Sequence, residues 1–189
     1  MANHPPYWFW KDVLSSKEVK HLNQFIMKNY LCEEEKSRAA TSANGKSKKN
    51  VKTYVVNYKK IKNYISKLLE KAYDTNTKGY DFDLWPYKDE DICLYNIYSS
   101  DKKADYDWHI DGDNKAYCDI KFTLLINLSE ENFEGGNLYL QENNDIPVPE
   151  LKERGSMVFF KSYIRHMVTP VTKGERRNLV VFLTGPNFK

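Results

Sequence analysis

The sequence predicts an α+β domain that is mainly β, a jelly roll with N-terminal helices packed on one sheet. Three observations predict it. Apolar stripes at helical spacing are confined to the first part of the chain. From Tyr80 onward the pattern changes to short β-rich runs separated by turn residues. About eight such runs follow one another without an internal repeat, which is the pattern of a double-sheet jelly roll or related barrel.

The helices are read first. Ser15 and Ser16 form an N-cap pair, and Glu18 stands three residues after Ser15 as in a capping box. Val19, Leu22, Phe25 and Ile26 then make one apolar stripe. A second helix is expected from about Tyr58 to Tyr73, with Ile61, Ile65, Leu68, Leu69 and Ala72 on one face. Between them Lys36 to Lys52, rich in Ser, Ala, Asn, Gly and Lys, reads as a loop or hairpin.

The expected strands are Phe82–Leu84, Ile92–Tyr98, Tyr106–Ile110, Ile120–Leu128, Asn137–Gln141, Ser156–Phe160, Ile164–Val171 and Asn178–Thr184. Turns fall at Asp111-Gly112-Asp113, Glu134-Gly135-Gly136, Arg154-Gly155 and Lys173-Gly174. The expected organisation is one domain over 1–189, with 1–80 as helical support and 81–189 as the β core.

Composition bounds the function. The 189 residues suit one domain, and 41% hydrophobic content with fourteen Tyr is enough for a core. A net charge of +3 does not by itself imply a nucleic-acid or membrane partner. The three cysteines, Cys32, Cys93 and Cys118, are widely spaced, with neither CxxC nor a zinc-site spacing. No signal peptide is recognisable, and no apolar run approaches the ~20 residues of a membrane span. The expectation is a soluble protein of the reducing cytoplasm, with no membrane partner.

His109 and Asp111 stand two apart at a predicted strand end, so alternation turns both to one face. The same pair would also suit a strand simply entering a turn. Of the four histidines, His4 and His21 belong to the N-terminal region, which leaves His166 as the third ligand candidate. His166 lies 57 positions after His109, on a late strand, and early and late strands are neighbours in a jelly roll. Two histidines and one carboxylate form a facial triad, suited to non-haem Fe(II) and oxygen chemistry. The helical HExxH of zinc hydrolases is absent.

Arg176 stands ten residues after His166. A hairpin at Lys173-Gly174 would return the next strand beside His166 and turn Arg176 into the same cavity. A keto diacid such as 2-oxoglutarate would chelate the metal at one end and need a cation at the other. The rigid fork of arginine suits a carboxylate. The bland reading of Arg176 is a surface hairpin cation, as expected for its neighbour Arg177.

With these residues in place, the sequence resembles the 2-oxoglutarate/Fe(II) dioxygenases of the prolyl 4-hydroxylase-like group. The likeness runs from about Tyr7 to Phe182. It is carried by Trp108-His109-Ile110-Asp111, Lys121-Phe122-Thr123, Phe133-Glu134-Gly135-Gly136-Asn137-Leu138 and His166-Met167-Val168-Thr169-Pro170-Val171 through Gly174-Glu175-Arg176. The resemblance implies a double-stranded β-helix, Fe(II) on His109, Asp111 and His166, and Arg176 paired with the distal carboxylate of 2-oxoglutarate. It places Tyr98 where the family has a tyrosine contacting the co-substrate; the alternative is a core aromatic. Strand parity puts Leu94, Asn96 and Tyr98 on one face, and Arg176, Asn178, Val180 and Phe182 on another. Asn96 is thus a second inward polar group, and Val168 an apolar wall beside His166. Many animal prolyl hydroxylases carry a co-substrate tyrosine on the central strand. Thr123-Leu124-Leu125-Ile126-Asn127 has none, which leaves Thr123 or Asn127 as replacement contacts.

The implied reaction is hydroxylation of a substrate C–H bond using O2 and 2-oxoglutarate, releasing succinate and CO2, with ascorbate as a candidate reductant. A peptide or protein substrate is expected, prolyl first. Alternatives are a nucleic-acid or small-molecule oxygenase of the same superfamily, or a non-catalytic cupin-like metal-binding module. Phe182 stands where nucleic-acid demethylases carry a second Arg, so nucleic acid is not the expected substrate. The lysines of Lys36–Lys62 suit either a substrate lid or a solvated loop. Tyr106, Trp108 and Tyr117 flank the HxD motif and suit either a substrate groove or an outward strand face.

Overall fold

The computed structural model describes residues 5–30, 51–111 and 119–187. Two helices form as expected. Helix α1 (Ser16–Asn29) opens on a complete capping box: Ser15 N–H donates to Glu18 Oε2 at 2.8 Å, and Glu18 N–H donates to Ser15 Oγ at 3.3 Å. Its buried stripe is Val19, Leu22 and Ile26. Helix α2 (Tyr58–Thr75) buries Ile61, Ile65, Leu68, Leu69 and Ala72, and runs on into a π-helical turn, Asn76–Tyr80.

The strands are β1 (Tyr7–Trp10), β2 (Lys52–Asn57), β3 (Ile92–Ser99), β4 (Tyr106–His109), β5 (Asp119–Asn127), β6 (Glu134–Gly135), β7 (Leu138–Gln141), β8 (Asp145–Pro147), β9 (Met157–Lys161), β10 (Arg165–Val168), β11 (Val171–Lys173) and β12 (Glu175–Gly185). A six-stranded sheet has the order β1-β9-β5-β12-β3-β2, a four-stranded sheet β4-β10-β7-β8, and β11 pairs with β6. The pairings are antiparallel. Two facing antiparallel sheets with helices on one outer face make the double-stranded β-helix that the sequence implied.

The large sheet has two differently used faces, and alternation decides which residue serves which. On β12, Leu179, Val181 and Leu183 join the helices in one core. Val180 and Phe182 face the other way, into a second core between the sheets. On β3, Tyr95 and Ile97 pack toward the helices, while Leu94 and Tyr98 look inward. The predicted parities of both strands therefore hold. The inner core is where the polar site residues collect.

Several expected boundaries change. Phe82–Leu84 forms no strand: the Asn76 side chain bonds both the carbonyl (2.8 Å) and the N–H (3.1 Å) of Phe82, taking the groups a neighbouring strand would use. Ile164–Val171 divides into β10 and β11, which belong to different sheets. The region before residue 81 is not only helical, since β1 and β2 form the two edges of the large sheet. Of the proposed Lys36–Lys62 lid, positions 36–50 lie outside the described residues, whereas Lys52 opens β2 and Lys59, Lys60 and Lys62 ride on α2. Tyr117 and the Gly112-Asp113 turn also lie outside the described residues.

Candidate metal centre

His109 ends β4, and its neighbour across the ladder is His166 on β10. The pairing sets the two rings 4.1 Å apart between centroids. Asp111 follows in the turn after β4, where its N–H donates to Ser162 O at 3.0 Å. Its carboxylate reaches both histidines: Oδ1 is 3.7 Å from His109 Nε2, and Oδ2 is 3.4 Å from His166 Nε2. One donor atom from each residue lies within 4.8 Å of the others. Two neutral imidazoles and a carboxylate at this spacing fit one divalent cation and leave further coordination positions to ligands from outside the chain.

The tautomers follow from the backbone. His109 Nδ1 lies 2.7 Å from Asp107 O, and His166 Nδ1 lies 2.9 Å from Ile164 O. A carbonyl only accepts, so each Nδ1 carries a proton, and in the neutral ring that leaves the Nε2 lone pair for a cation. Burial alone would raise the Asp111 carboxyl. His166, His109 and the Thr123 hydroxyl together hold it below the ordinary carboxylate value. The Asp111 carboxylate thus depends on positive charge from its surroundings, which a bound cation would supply.

Residues around the triad lock its rings. The β4–β10 ladder skips a register between His166/His109 and Val168/Tyr106, so two residues of β4, Asp107 and Trp108, lie opposite one of β10, Met167. The bulge brings Tyr106 onto the face of His109, where the rings stack at 3.5 Å and 13°. Phe160 meets His166 edge-on at 4.9 Å. Trp108 is turned elsewhere and lies 5.6 Å from the Arg165 guanidinium carbon.

The opposite wall comes from the large sheet. Arg176 sits on β12 next to Tyr98 on β3, with its guanidinium carbon 4.9 Å from the Tyr98 ring centre. Arg176 and Tyr98 are both only 2% exposed. Among the described residues, Nη1 and Nη2 of Arg176 have no hydrogen-bond partner. Burial pulls the guanidinium below its ordinary value, while Tyr98 acts against that shift. A buried, unpaired fork is costly unless an anion meets it, and a carboxylate is the matching shape. Arg177, by contrast, pairs with Glu175 at 2.6 Å and Glu130 at 3.3 Å, as befits an ordinary cation.

Arg176 reaches this position by a different route from the expected hairpin. The Lys173-Gly174 turn is not a hairpin within one sheet. β11 pairs with β6, whereas β12 joins β3 and β5, so the turn carries the chain from the His166 side of the sandwich to the facing sheet. Arg176 therefore sits on the sheet facing the one that carries His109 and His166.

The remaining candidates divide. Val168 is buried on the face of His166, in the core between the sheets. Asn96 is buried, and its Oδ1 accepts from Thr53 Oγ1 at 2.7 Å. Thr123 Oγ1 donates to Asp111 Oδ2 at 2.6 Å, so this hydroxyl serves the ligand carboxylate rather than standing free for a co-substrate. Asn127 is also committed elsewhere. Its Nδ2 lies 2.9, 3.0 and 3.1 Å from the carbonyls of Leu151, Lys152 and Glu153, and its Oδ1 accepts from Ser129 N–H at 2.9 Å. It ties down a turn instead of contacting a ligand directly.

Two contributors went unread in the sequence. Gly136 has φ +57°, and a Cβ there would come within 3.0 Å of Arg176 Cδ and 2.9 Å of Val171 Cγ2. The Glu-Gly-Gly turn thus makes room for the Arg176 stem. Lys152, on the 3-10 turn Pro149–Lys152, lines a small cleft together with Arg176 and Gly136.

Comparison with known proteins adds relatives to this geometry. Residues 93–184 match the family profile described as the 2OG-Fe(II) oxygenase superfamily. A PKHD-type hydroxylase of Hyphomonas neptunium is 36% identical over 80 residues, covering 38% of this chain and 34% of that protein. A PKHD-type hydroxylase of a Synechococcus species is 32% identical over 73 residues, again 38% of this chain and 32% of that protein. The matches thus span about a third of the curated relatives' length. Among solved structures, a Pseudomonas putida prolyl-4-hydroxylase superposes with TM-score 0.70 at 16% identity, covering 98% of this chain and 95% of the other. A viral collagen prolyl hydroxylase from Paramecium Bursaria Chlorella virus-1, solved with 2OG, gives 0.67 at 16% identity, covering 97% and 98%.

Proposed function

We propose that this chain, whose residues 93–184 match the 2OG-Fe(II) oxygenase superfamily profile, is an Fe(II)- and 2-oxoglutarate-dependent dioxygenase. In this reading it hydroxylates a C–H bond of a peptide or protein, with prolyl residues the first candidates. The observation that carries the reading is the pairing of two features on facing sheets. A His109–Asp111–His166 triad is gathered on one side, and a fully buried Arg176 without a partner for Nη1 and Nη2 lies on the other, beside Tyr98, which is close enough to Asp111 to feel its charge. A plain cupin-like metal module would have no use for that arginine.

When bound, the iron and 2-oxoglutarate supply an oxidative decarboxylation to succinate and CO2, coupled to placing one atom of O2 in the substrate C–H bond. The chain's own residues do the rest. His109 and His166 present Nε2 lone pairs because Asp107 and Ile164 carbonyls hold their Nδ1 protons. Thr123 aims the Asp111 carboxylate. Arg176, backed by the Tyr98 ring, receives the distal carboxylate of the co-substrate. Val168, Leu125 and Val180 line the core between the sheets and keep water from the reacting centre. Ascorbate is the proposed reductant for iron that becomes oxidised. The proposed setting is the reducing cytoplasm, consistent with Cys93, a buried free thiol. No helix among the described residues is long and apolar enough to cross a membrane.

The test is incubation with Fe(II), 2-oxoglutarate, O2 and a panel of peptides with and without proline, read by mass spectrometry. A peptide heavier by one oxygen, formed with an equal amount of succinate, supports the reading. Succinate formation stimulated only by nucleic acid or small metabolites would replace the peptide assignment, and no succinate under any condition would return the binding-module alternative.

A further inference from the structure

The positive charge of this chain is gathered on one face. Helices α1 and α2 lie together on the outer side of the large sheet, their apolar stripes in one core with β3, β5 and β12. They hold eight lysines against three acids. That excess is larger than the net charge of +3 of the whole chain, so the rest of the chain is acidic on balance. On α2, Lys60, Lys67 and Lys71 stand seven and four positions apart, which aligns them along one flank. On α1, Lys17 and Lys28 lie about three turns apart, on the side away from Val19, Leu22 and Ile26. The two rows share one surface. The Glu18 carboxyl on α1 is held below its ordinary value first by its bonds to Ser15 and also, from α2, by Lys67.

Most of these charges are unmatched. Lys62 pairs with Asp89, but Lys17, Lys28, Lys60, Lys67 and Lys71 are exposed and form no ion pair among the described residues. Like charges at helical spacing repel, so a polyanion compensates this face better than its own acids do. Three features decide which polyanion fits. Among the described residues Met27 is the one large apolar side chain exposed on either helix, so the face lacks the aromatic anchors on which protein interfaces depend. No aromatic ring of either helix is exposed, so there is no platform for stacking unpaired bases. The apolar stripes of both helices are buried against the sheet, which leaves none to insert into a bilayer. What remains is rows of ammonium groups, which meet phosphates as point charges without reading sequence.

From this arrangement we infer that the α1–α2 face docks the phosphodiester backbone of a nucleic-acid duplex, whatever its sequence. The large sheet separates this face from the core between the sheets, where Phe160 and Val168 flank His166. The duplex is thus a tether and not the molecule oxidised, and the inference stands apart from the function proposed above.

The experiment is fluorescence anisotropy of a labelled DNA duplex of about 20 base pairs, titrated with full-length protein between about 50 and 200 mM salt. Wild type is compared with the triple variant Lys60→Glu, Lys67→Glu, Lys71→Glu. A control makes the same charge change elsewhere, at Lys11, Lys103 and Lys173. All three proteins are first matched by circular dichroism and thermal melting. The expected result is wild-type binding that is indifferent to sequence and weakens with salt. The α2 variant should bind at least about tenfold more weakly with a shallower salt dependence, and the control within about threefold of wild type. No binding by wild type, unchanged binding by the α2 variant, or equal loss in the control overturns the inference. So does tighter wild-type binding to polyglutamate or to phosphatidylserine vesicles than to the duplex, which would assign the face to an acidic protein or a membrane.

Discussion

Thr123 Oγ1 donates a 2.6 Å hydrogen bond to Asp111 Oδ2, the same oxygen that faces His166 Nε2 at 3.4 Å. Thr123 is on the large sheet and the triad is on the other wall, so one hydroxyl couples the facing sheets at the metal centre. Removing it should release the carboxylate to rotate. Thr123→Val is expected to weaken Mn(II) or Fe(II) affinity by about 10–100-fold, with Thr123→Ser close to wild type. Metal titration followed by calorimetry checks this; wild-type affinity in the valine variant would remove Thr123 from the centre.

Arg176 carries a stability cost that the proposed function explains. A buried guanidinium with unpartnered Nη1 and Nη2 is a poor core residue. Arg176→Met should therefore melt no lower than wild type when ligand-free, by thermal denaturation, yet lose the upward shift that 2-oxoglutarate gives the Mn(II)-loaded protein. A variant that melts far lower, or that keeps the ligand shift, would show a structural rather than a recognition role.

Gly136 tests how that arginine is seated. At φ +57°, with Arg176 Cδ at 3.0 Å and Val171 Cγ2 at 2.9 Å from an added Cβ, Gly136→Ala is strained by conformation and by contact. The expected loss is about 1–3 kcal/mol in urea denaturation, together with weaker 2-oxoglutarate binding. Wild-type stability and binding would mean that the turn can yield without disturbing Arg176.

The residues of the candidate site also show what was legible in the sequence and what was not. His109 and Asp111 were readable because alternation fixes where i and i+2 point, and His166 because it was the one other histidine in the β-rich part. Arg176 was found by its ten-residue step from His166, although its route across the sandwich was not. The roles of Thr123 and Asn127 depend on which loop each strand position meets, and parity along β5 says nothing of that. The edge strands β1 and β2 were missed because prolines flank one and a lysine-rich stretch precedes the other. Tyr7-Trp8-Phe9-Trp10 and Thr53-Tyr54-Val55-Val56 nevertheless carry strand-forming residues.

Cys93 gives a pH-dependent check on the core behind the site. Burial, with a smaller push from Asp91 and a contrary one from Tyr87, raises its thiol from 9.0 to about 12. Because the folded value lies above the unfolded one, the contribution to stability is complete below about 9 and is lost as pH rises from about 9 to 12. The stability difference between wild type and Cys93→Ala should narrow over that window in urea melts. Peptide mapping after iodoacetamide treatment at pH 8 should find Cys93 unmodified in the native protein and modified after unfolding; labelling without unfolding would contradict the burial.

The central claim is that His109, Asp111 and His166 hold an iron that consumes 2-oxoglutarate. Its most direct measurement is O2-dependent succinate formation from 2-oxoglutarate as Fe(II) is titrated into metal-free wild type and Asp111→Ala. Succinate should rise with Fe(II) to saturation near one equivalent in wild type and stay at background in Asp111→Ala. Equal succinate formation by the two proteins, or none by wild type with any co-added peptide, would contradict the account.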